Sequence, residues 1–348
     1  MLIGKRAVFY LALIIFMIIA PFVFPVFKTQ LATVWLMIIV ALTWDMTGGQ
    51  MGYNSLGNIT FYGTGMYVAA VVTIALAYDV GEYTGSSGGG IYEFTDRQYF
   101  TGMFLGMLAA GLFCSVVAVV IGYITFGLRG PYFAIGTLGV AIAAGELVSN
   151  WEWVGGGQGI ALPVYPGDFE NGKILFYFLF AVTGVVLFLF LKWLYTTRFG
   201  AAINAIRDDE EKAEAMGIHT LQYKLATWAM AAFFVGVAGA ISAFQLIHFE
   251  PLESAYQTIN LGIFMVVCAL LGGKGTLWGP VVGAILFHVF KEVTWTYLLG
   301  WQWVALGALI VATVVYFEGG VVGWLMERKP HWFSLPAKVD EAARDDQS

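Results

Sequence analysis

The residues best suited to catalysis are few and scattered. His219, His248, His288 and His331 fall in different segments, with no second ligand at the spacing a metal site requires. Cys114 and Cys268 both sit inside apolar runs, which fits packing residues rather than a disulfide or a metal site. Gly272-Gly273-Lys274-Gly275-Thr276 looks like a phosphate-binding loop. However, Gly275 follows the lysine where Ser or Thr would reach magnesium, and apolar sequence precedes it instead of a soluble strand. The pattern points to a chain with no catalytic residues, no metal and no cofactor of its own; work driven by ATP would need the nucleotide and magnesium on another subunit.

Two polar constellations stand out. Thr197 to Tyr223 reads TRFGAAINAIRDDEEKAEAMGIHTLQY. Asp208 followed three residues later by Glu211 is an Asp variant of the capping box, and Gly217 supplies a stop, so a short helix is predicted from about Asp209 to Met216. Asp209, Glu210 and Glu211 occupy its first turn, where the helix dipole favours negative charge. So short a helix is not stable alone in water and needs contacts with the rest of the chain or with another protein. The second constellation is Gln50, Asn54, Ser55 and Asn58, set among glycines in apolar sequence, where such groups need partners or water. With Thr137 they are the candidates to line a polar, hydrated path. Asp45 and Glu146 are further candidates, each near a predicted helix end.

The elements that must position these groups are membrane helices. Of 348 residues, 59% are hydrophobic and 11% charged, against roughly 25% charged in ordinary soluble domains. This composition, with a mean hydropathy of +0.77, excludes a soluble enzyme, a disordered chain and a nucleic-acid binder. Runs free of Asp, Glu, Lys and Arg span 7–27, 29–44, 46–78, 98–128, 130–145, 174–191, 225–249, 254–273, 275–290 and 293–317. A span takes about 20 apolar residues, so the expectation is an all-α polytopic bundle of eight to ten transmembrane helices, some broken or re-entrant. Residues 1–326 would form this domain and 327–348 a disordered tail. The first run follows Lys5 and Arg6 but lacks a small-residue cleavage site, so it is read as a retained helix.

Alternating loops place thirteen of the seventeen Lys and Arg on the side of the N-terminus and four on the other, which predicts both termini inside. The glycine-rich segment Gly81 to Gly90 reads as a connector. Three apolar stretches are interrupted by glycine and polar residues, at Gly48 to Asn58, Gly130 to Gly139 and Gly272 to Pro280. Interruptions of this kind often mark a transport path, because unpaired backbone cannot face lipid. Gly102, Gly106, Gly111, Gly236 and Gly239 read instead as close helix packing.

Four blocks join these features: GGQMGYNSLGNITFYGTGMY at Gly48 to Tyr67, GPYFAIGTLGVA at Gly130 to Ala141, GAAINAIRDDEEKAEAMGIHTLQYKL at Gly200 to Leu225 and LGGKGTLWGPVVGA at Leu271 to Ala284. In order and spacing they resemble the inner-membrane permeases of ATP-binding-cassette importers of the branched-chain amino acid, LivM-like, type. GGGQGI, with Gln158, resembles that family's outer glycine-rich segment. The resemblance implies a coupling loop in which Ala213, Glu214, Ala215 and Gly217 dock on an ATPase, with Arg207, Asp208 and Glu211 in the same loop. It implies a heterodimer with a second, LivH-like permease, two cytoplasmic ATP-binding subunits that bind ATP and magnesium, a solute-binding protein, and a place in the lipid bilayer of a bacterial or archaeal plasma membrane. Asn58 stands where many relatives have His, and Tyr53-Asn54 departs from the commoner first block, which bears on the solute. Urea, short amides or aromatic acids are the alternative solutes, and an ATP-independent secondary transporter the alternative class.

Overall fold

The computed structural model describes residues 15–85, 92–316 and 319–328. A first helix, α1 (15–23), leads through a tight turn at Pro25–Phe27 into α2 (Lys28–Asp45). There follow α3 (Asn58–Ala75), α4 (Val80–Gly85), α5 (Asp96–Thr125), α6 (Pro131–Ser149) and α7 (Phe169–Leu194). A group of shorter helices, α8 (Arg198–Asp208) and α9 (Glu210–Ala215), precedes the long α10 (Thr220–Leu246). The chain closes with α11 (Ile263–Gly272), α12 (Gly279–Tyr297), α13 (Gln302–Tyr316) and α14 (Gly320–Arg328). Two-residue strands, β1 (Ile160–Ala161) and β2 (His248–Phe249), pair antiparallel and tie the loop before α7 to the end of α10.

Among the described residues, seven stretches are long and apolar enough to cross a membrane: Pro25–Gln50, Asn58–Ala75, Asp96–Thr125, Pro131–Ser149, Phe169–Leu194, Thr220–Leu246 and Pro251–Gly272. The chain is a polytopic all-α membrane protein. The eight to ten segments expected from the apolar runs exceed seven for two reasons. The N-terminal run is described only from residue 15, and the last two runs give helices that are diluted by His288, Lys291 and Glu292 (α12) or only 15 residues long (α13). The expected tail lies outside the described residues from Lys329 on, and of the Gly81 to Gly90 connector only the part within α4 is described.

The centre of the bundle is α3, α5 and α10, and their glycines set its spacing. A Cβ at Gly65 would lie 2.3 Å from the Gly236 carbonyl oxygen, and one at Gly239 would lie 2.2 Å from that of Tyr62. The α3 and α10 backbones therefore touch directly, as small residues permit in lipid where helices gain no hydrophobic advantage from meeting. Gly102 and Gly106 bring α5 against Thr73 and Ala69 of α3 in the same way. The α5 start is fixed by a capping box: Thr95 Oγ1 accepts from the Gln98 N–H at 3.4 Å and Gln98 Oε1 from the Thr95 N–H at 2.9 Å.

The bundle has two distinguishable ends. One collects the links α2–α3, α5–α6, α7–α10 and α11–α12, and with them Arg129, Arg198, Arg207, Lys212, Lys224 and Lys274; we call it the basic end. The opposite end holds α4, the loop before α7, and the turns after α10. There Lys28, at the start of α2, pairs with Glu170 at the start of α7 at 2.9 Å.

Candidate functional site

At the basic end, α8, α9 and the start of α10 make a compact corner. The expectation of a single short helix capped by Asp208 is corrected. Asp208 is the last residue of α8 and pairs with Arg207, Nε to Oδ1, at 3.0 Å. The cap of α9 is Asp209, whose carboxylate accepts the Lys212 N–H at 3.0 Å and lies 2.8 Å from Lys212 Nζ. The shift by one residue has a physical cause: α8 buries Ala202, Ile203 and Ile206, and that apolar face carries the helix through Arg207. The Lys212 side chain and backbone hydrogen bonds hold the Asp209 carboxyl below its ordinary range. At the other end of α9, Gly217 takes a left-handed φ of +86°; its N–H donates to Glu214 and that of Ile218 to Ala213, closing the helix. Glu214 also accepts from Thr220 Oγ1, locking α9 to α10. Ala213 is buried beneath, Ala215 ends the helix, and the Met216 side chain projects outward, 84% exposed.

Beneath this corner lies a buried ionic cluster that the sequence did not single out. Lys224 of α10 donates to Glu210 of α9 at 2.6 Å and approaches the Tyr53 hydroxyl at 3.2 Å, while the Tyr53 hydroxyl donates to the other Glu210 oxygen. The Lys224 and Glu210 side chains are 4% and 14% exposed. Burial alone would push the Glu210 carboxyl up; hydrogen bonds from Lys224 and Tyr53, with the Lys224 charge, outweigh it and hold the carboxyl below its ordinary range. Burial and the Glu210 carboxylate push the Tyr53 hydroxyl up. Lys224 also stands 4.8 Å over the Tyr53 ring, and Tyr53 packs edge-on against Phe126 and Phe133 at 5.5 and 5.2 Å. Phe126 continues to Trp228 at 5.3 Å. Each aromatic pair contributes about 0.5–1.5 kcal/mol beyond its buried area. The cluster therefore joins the α2–α3 link, the α5–α6 link, α9 and α10.

The three glycine-rich interruptions meet at this end too. Asp45 Oδ1 accepts the Gly275 N–H at 2.7 Å, and Gln50 Nε2 donates to the Gly275 carbonyl at 2.8 Å, so the first and third interruptions clasp each other. A Cβ at Gly49 would stand 1.9 Å from Asp45 Oδ1, which is why glycine sits there. Thr137 Oγ1 accepts the Leu56 N–H at 3.1 Å, Ser55 Oγ accepts that of Gly57 at 3.2 Å, and Asn58 Oδ1 accepts from Trp228 Nε1 at 3.0 Å. Of the five residues expected along a path, Gln50, Ser55, Asn58 and Thr137 are thus buried and hydrogen-bonded. The Asn58 amide nitrogen has no partner among the described residues. Asn54 alone is exposed, and it lines a 370 Å³ hollow with Gly52, Arg129, Arg207, Asp208 and Glu211. Glu211 meets Arg129 there at 3.2 Å, both well exposed.

A different opening, missed in the sequence, lies at the opposite end. The membrane segment Pro251–Gly272 is not one regular helix: two wide turns, Pro251–Ala255 and Thr258–Gly262, precede α11. Between them and α6 is a cavity of 400 Å³ lined by Ile142, Leu252, Glu253, Gln257, Thr258 and Asn260, with Tyr256 at its wall. Gly63 and Gly145 leave room for the Tyr256 ring, and its hydroxyl lies 3.3 Å from Thr64 Oγ1 of α3. Irregular backbone at membrane depth is tolerated where it is buried in protein or lines a water-filled space. The signal was present in Pro251, Glu253, Gln257 and Asn260 at the head of an apolar run.

The membrane bundle thus carries an ordered helical corner at one end and an unwound, polar opening at the other. Comparison with known proteins identifies the family. The family model described as branched-chain amino acid transport system / permease component matches residues 26–316, and the chain belongs to that family. It is 26% identical over 346 residues to the high-affinity branched-chain amino acid transport system permease protein LivM of Escherichia coli K12, covering 91% of this chain and 75% of that one. It is 24% identical over 194 residues to a probable branched-chain amino acid transport permease protein LivM of Methanocaldococcus jannaschii, with 53% and 55% covered. It is also 26% identical over 228 residues, 62% of each chain, to the autoinducer 2 import system permease protein LsrC of Yersinia pseudotuberculosis. No solved structure matches.

Proposed function

We propose that the chain is the permease subunit of an ATP-driven importer of branched-chain or related hydrophobic amino acids, in a bacterial or archaeal plasma membrane with both termini cytoplasmic. The basic end then faces the cytoplasm, as the distribution of Lys and Arg favours. The observation that carries this reading is the α8–α9 corner. It is anchored to the bundle by the buried Lys224–Glu210–Tyr53 cluster and presents Met216 and the acidic face of α9 outward. Two cytoplasmic subunits, which bind ATP and magnesium, dock there; a second, LivH-like permease completes the path, and a solute-binding protein delivers solute at the opposite end. ATP binding favours one of two permease states, and a corner tied rigidly to the α2–α3 link carries that preference inward.

Uptake of labelled leucine into proteoliposomes holding this chain, a second permease, the ATPases and the binding protein tests the reading. Uptake that needs both this chain and hydrolysis is the expected outcome; uptake without hydrolysis overturns the coupling mechanism. The likeness to the autoinducer 2 permease supports a second reading, the same importer for a solute that is not an amino acid. It is separated from the first by an ATPase that responds to its loaded binding protein while leucine stays outside.

A further inference from the structure

We propose that the cavity between α6 and the unwound turns at Pro251–Gly262 binds the permeating solute, and that Glu253 reads a positively charged ammonium there. This rests on the reading of the chain as an amino-acid permease and adds the chemistry by which the solute is recognised. Among the residues lining the cavity Glu253 is the single charged one, and its carboxylate makes no ion pair or side-chain hydrogen bond among the described residues. Glu253 is exposed and stands third in Pro251–Gly272, a stretch long and apolar enough to cross a membrane; an ionisable residue within such a stretch marks a solute path or a water-filled space. The rest of the lining divides by chemistry. Ile142, Leu252 and the Tyr256 ring supply an apolar wall, and Gln257, Thr258 and Asn260 supply polar groups. The 400 Å³ volume falls in the range of about 300–1,000 Å³ typical of small-molecule sites.

The backbone is arranged to keep this opening in place. The Gln257 amide donates to the Glu253 carbonyl, and Thr258 Oγ1 donates to the Tyr256 carbonyl at 3.2 Å, so local side chains answer the groups that the broken helix leaves free. Tyr256 stacks on Tyr67 at 6.3 Å, and a Cβ at Gly63 would stand 2.7 Å from its ring. The wall is therefore pinned to α3 while the Glu253 side of the turn stays open. No Lys or Arg lines the cavity. The site accordingly favours a solute carrying an ammonium with an apolar side chain, and disfavours an anion such as an aromatic acid or the 2-oxo acid of the same skeleton.

The test uses the assembled transporter in proteoliposomes at saturating, leucine-loaded binding protein, so that the binding protein's own affinity does not set the rate. Uptake and binding-protein-stimulated ATP hydrolysis are read together for wild type, Glu253→Gln, Glu253→Asp and Glu253→Lys. The expected result is a fall in leucine uptake of about tenfold in Glu253→Gln and more in Glu253→Lys. Stimulated hydrolysis is retained and uptake is recovered in Glu253→Asp. A leucine analogue carrying a diazirine in its side chain should label 251–262 or α6 in wild type and lose that labelling in Glu253→Gln. Wild-type uptake in Glu253→Gln, or labelling confined to other segments, overturns the proposal while leaving the importer intact. A wild-type complex that moves another solute but no amino acid overturns both this site assignment and the reading it rests on. Variants that fail to assemble are recognised by lost stimulation of hydrolysis, and the labelling pattern of the wild-type complex then decides the matter alone.

Discussion

The two ends of the bundle both break their helices and both gather polar side chains at the breaks, yet they do opposite things with them. At the basic end most of the broken segments close on one another, with Asn54 left facing the 370 Å³ hollow: Gln50 and Asp45 clasp Gly275, Thr137 caps Leu56, and Lys224 and Tyr53 answer Glu210. At the opposite end the turns after α10 leave a lined cavity holding the Glu253 carboxylate, which makes no ion pair among the described residues. A closed, hydrogen-bonded junction moves as a unit and suits the transmission of force. An open one, with polar groups facing space, suits a passing solute. Glycine and polar content alone therefore does not distinguish a path from a hinge; what the polar groups bond to does.

The largest effect should follow from breaking the closed end at its ion pair. Lys224→Ala strands the mostly buried Glu210 charge, and removing one partner of such a pair costs on the order of 3–5 kcal/mol. The expected outcome is a lowered unfolding midpoint in detergent and uptake uncoupled from hydrolysis. The double variant Lys224→Met with Glu210→Gln should recover most of the stability, and an unchanged midpoint in Lys224→Ala would remove the cluster from the account. Next comes Gly49→Ala. Its methyl would meet Asp45 Oδ1 at 1.9 Å and the Gly275 nitrogen at 2.5 Å, neither free to move while they bond each other. Overpacking of this kind costs about 1–3 kcal/mol, and differential scanning of the purified protein should register it. By contrast Gly145→Val, which presses on Leu252 and Tyr256 at the open end, should reduce uptake severalfold with little change in hydrolysis. Equal loss of both activities would erase the distinction between the ends.

A smaller effect tests the corner's own cap. Asp209→Ala removes the acceptor for the Lys212 N–H, and amide exchange across α9 should quicken by about fivefold. Asp208→Ala, on the residue that pairs with exposed Arg207, should leave that exchange as it is. The reverse ranking would restore the cap that the sequence spacing suggested.

Much of this architecture was legible in the chain itself. Charge-free runs marked the membrane helices, and the sides assigned to Arg129, Arg207, Lys212 and Lys274 by alternation agree with their gathering at one end. The presence of a helix near Asp209 to Met216 followed from first-turn acids and Gly217. Its register did not, because Asp208 and Asp209 are equally good caps in a string of letters, and burial of Ile203 and Ile206 decides between them. The Lys224–Glu210–Tyr53 cluster joins residues up to 171 positions apart, and local spacing carries no trace of such a contact. The unwound turns at Pro251–Gly262 were hidden for a different reason: hydropathy averages over a segment, and a few polar residues at the head of an apolar run lower the mean without showing that the helix is broken.

The finest separation of the two ends comes from acid. Glu210 is held below its ordinary carboxyl range in the folded protein, so it binds a proton more readily when unfolded, and its contribution is fully present above the unfolded value of about 4.3. That contribution is lost only as pH falls through the depressed folded value. Hydrogen exchange across 209–218, corrected for intrinsic rates, should therefore show constant protection of α9 from pH 8 to 5 and a loss confined to lower pH. Glu210→Gln, which cannot charge, should show reduced protection at neutral pH and no further step attributable to this residue in acid. A loss of α9 protection already near pH 6 would mean that burial outweighs the Lys224 and Tyr53 bonds, and that the closed end is held by its aromatic packing instead of its charges.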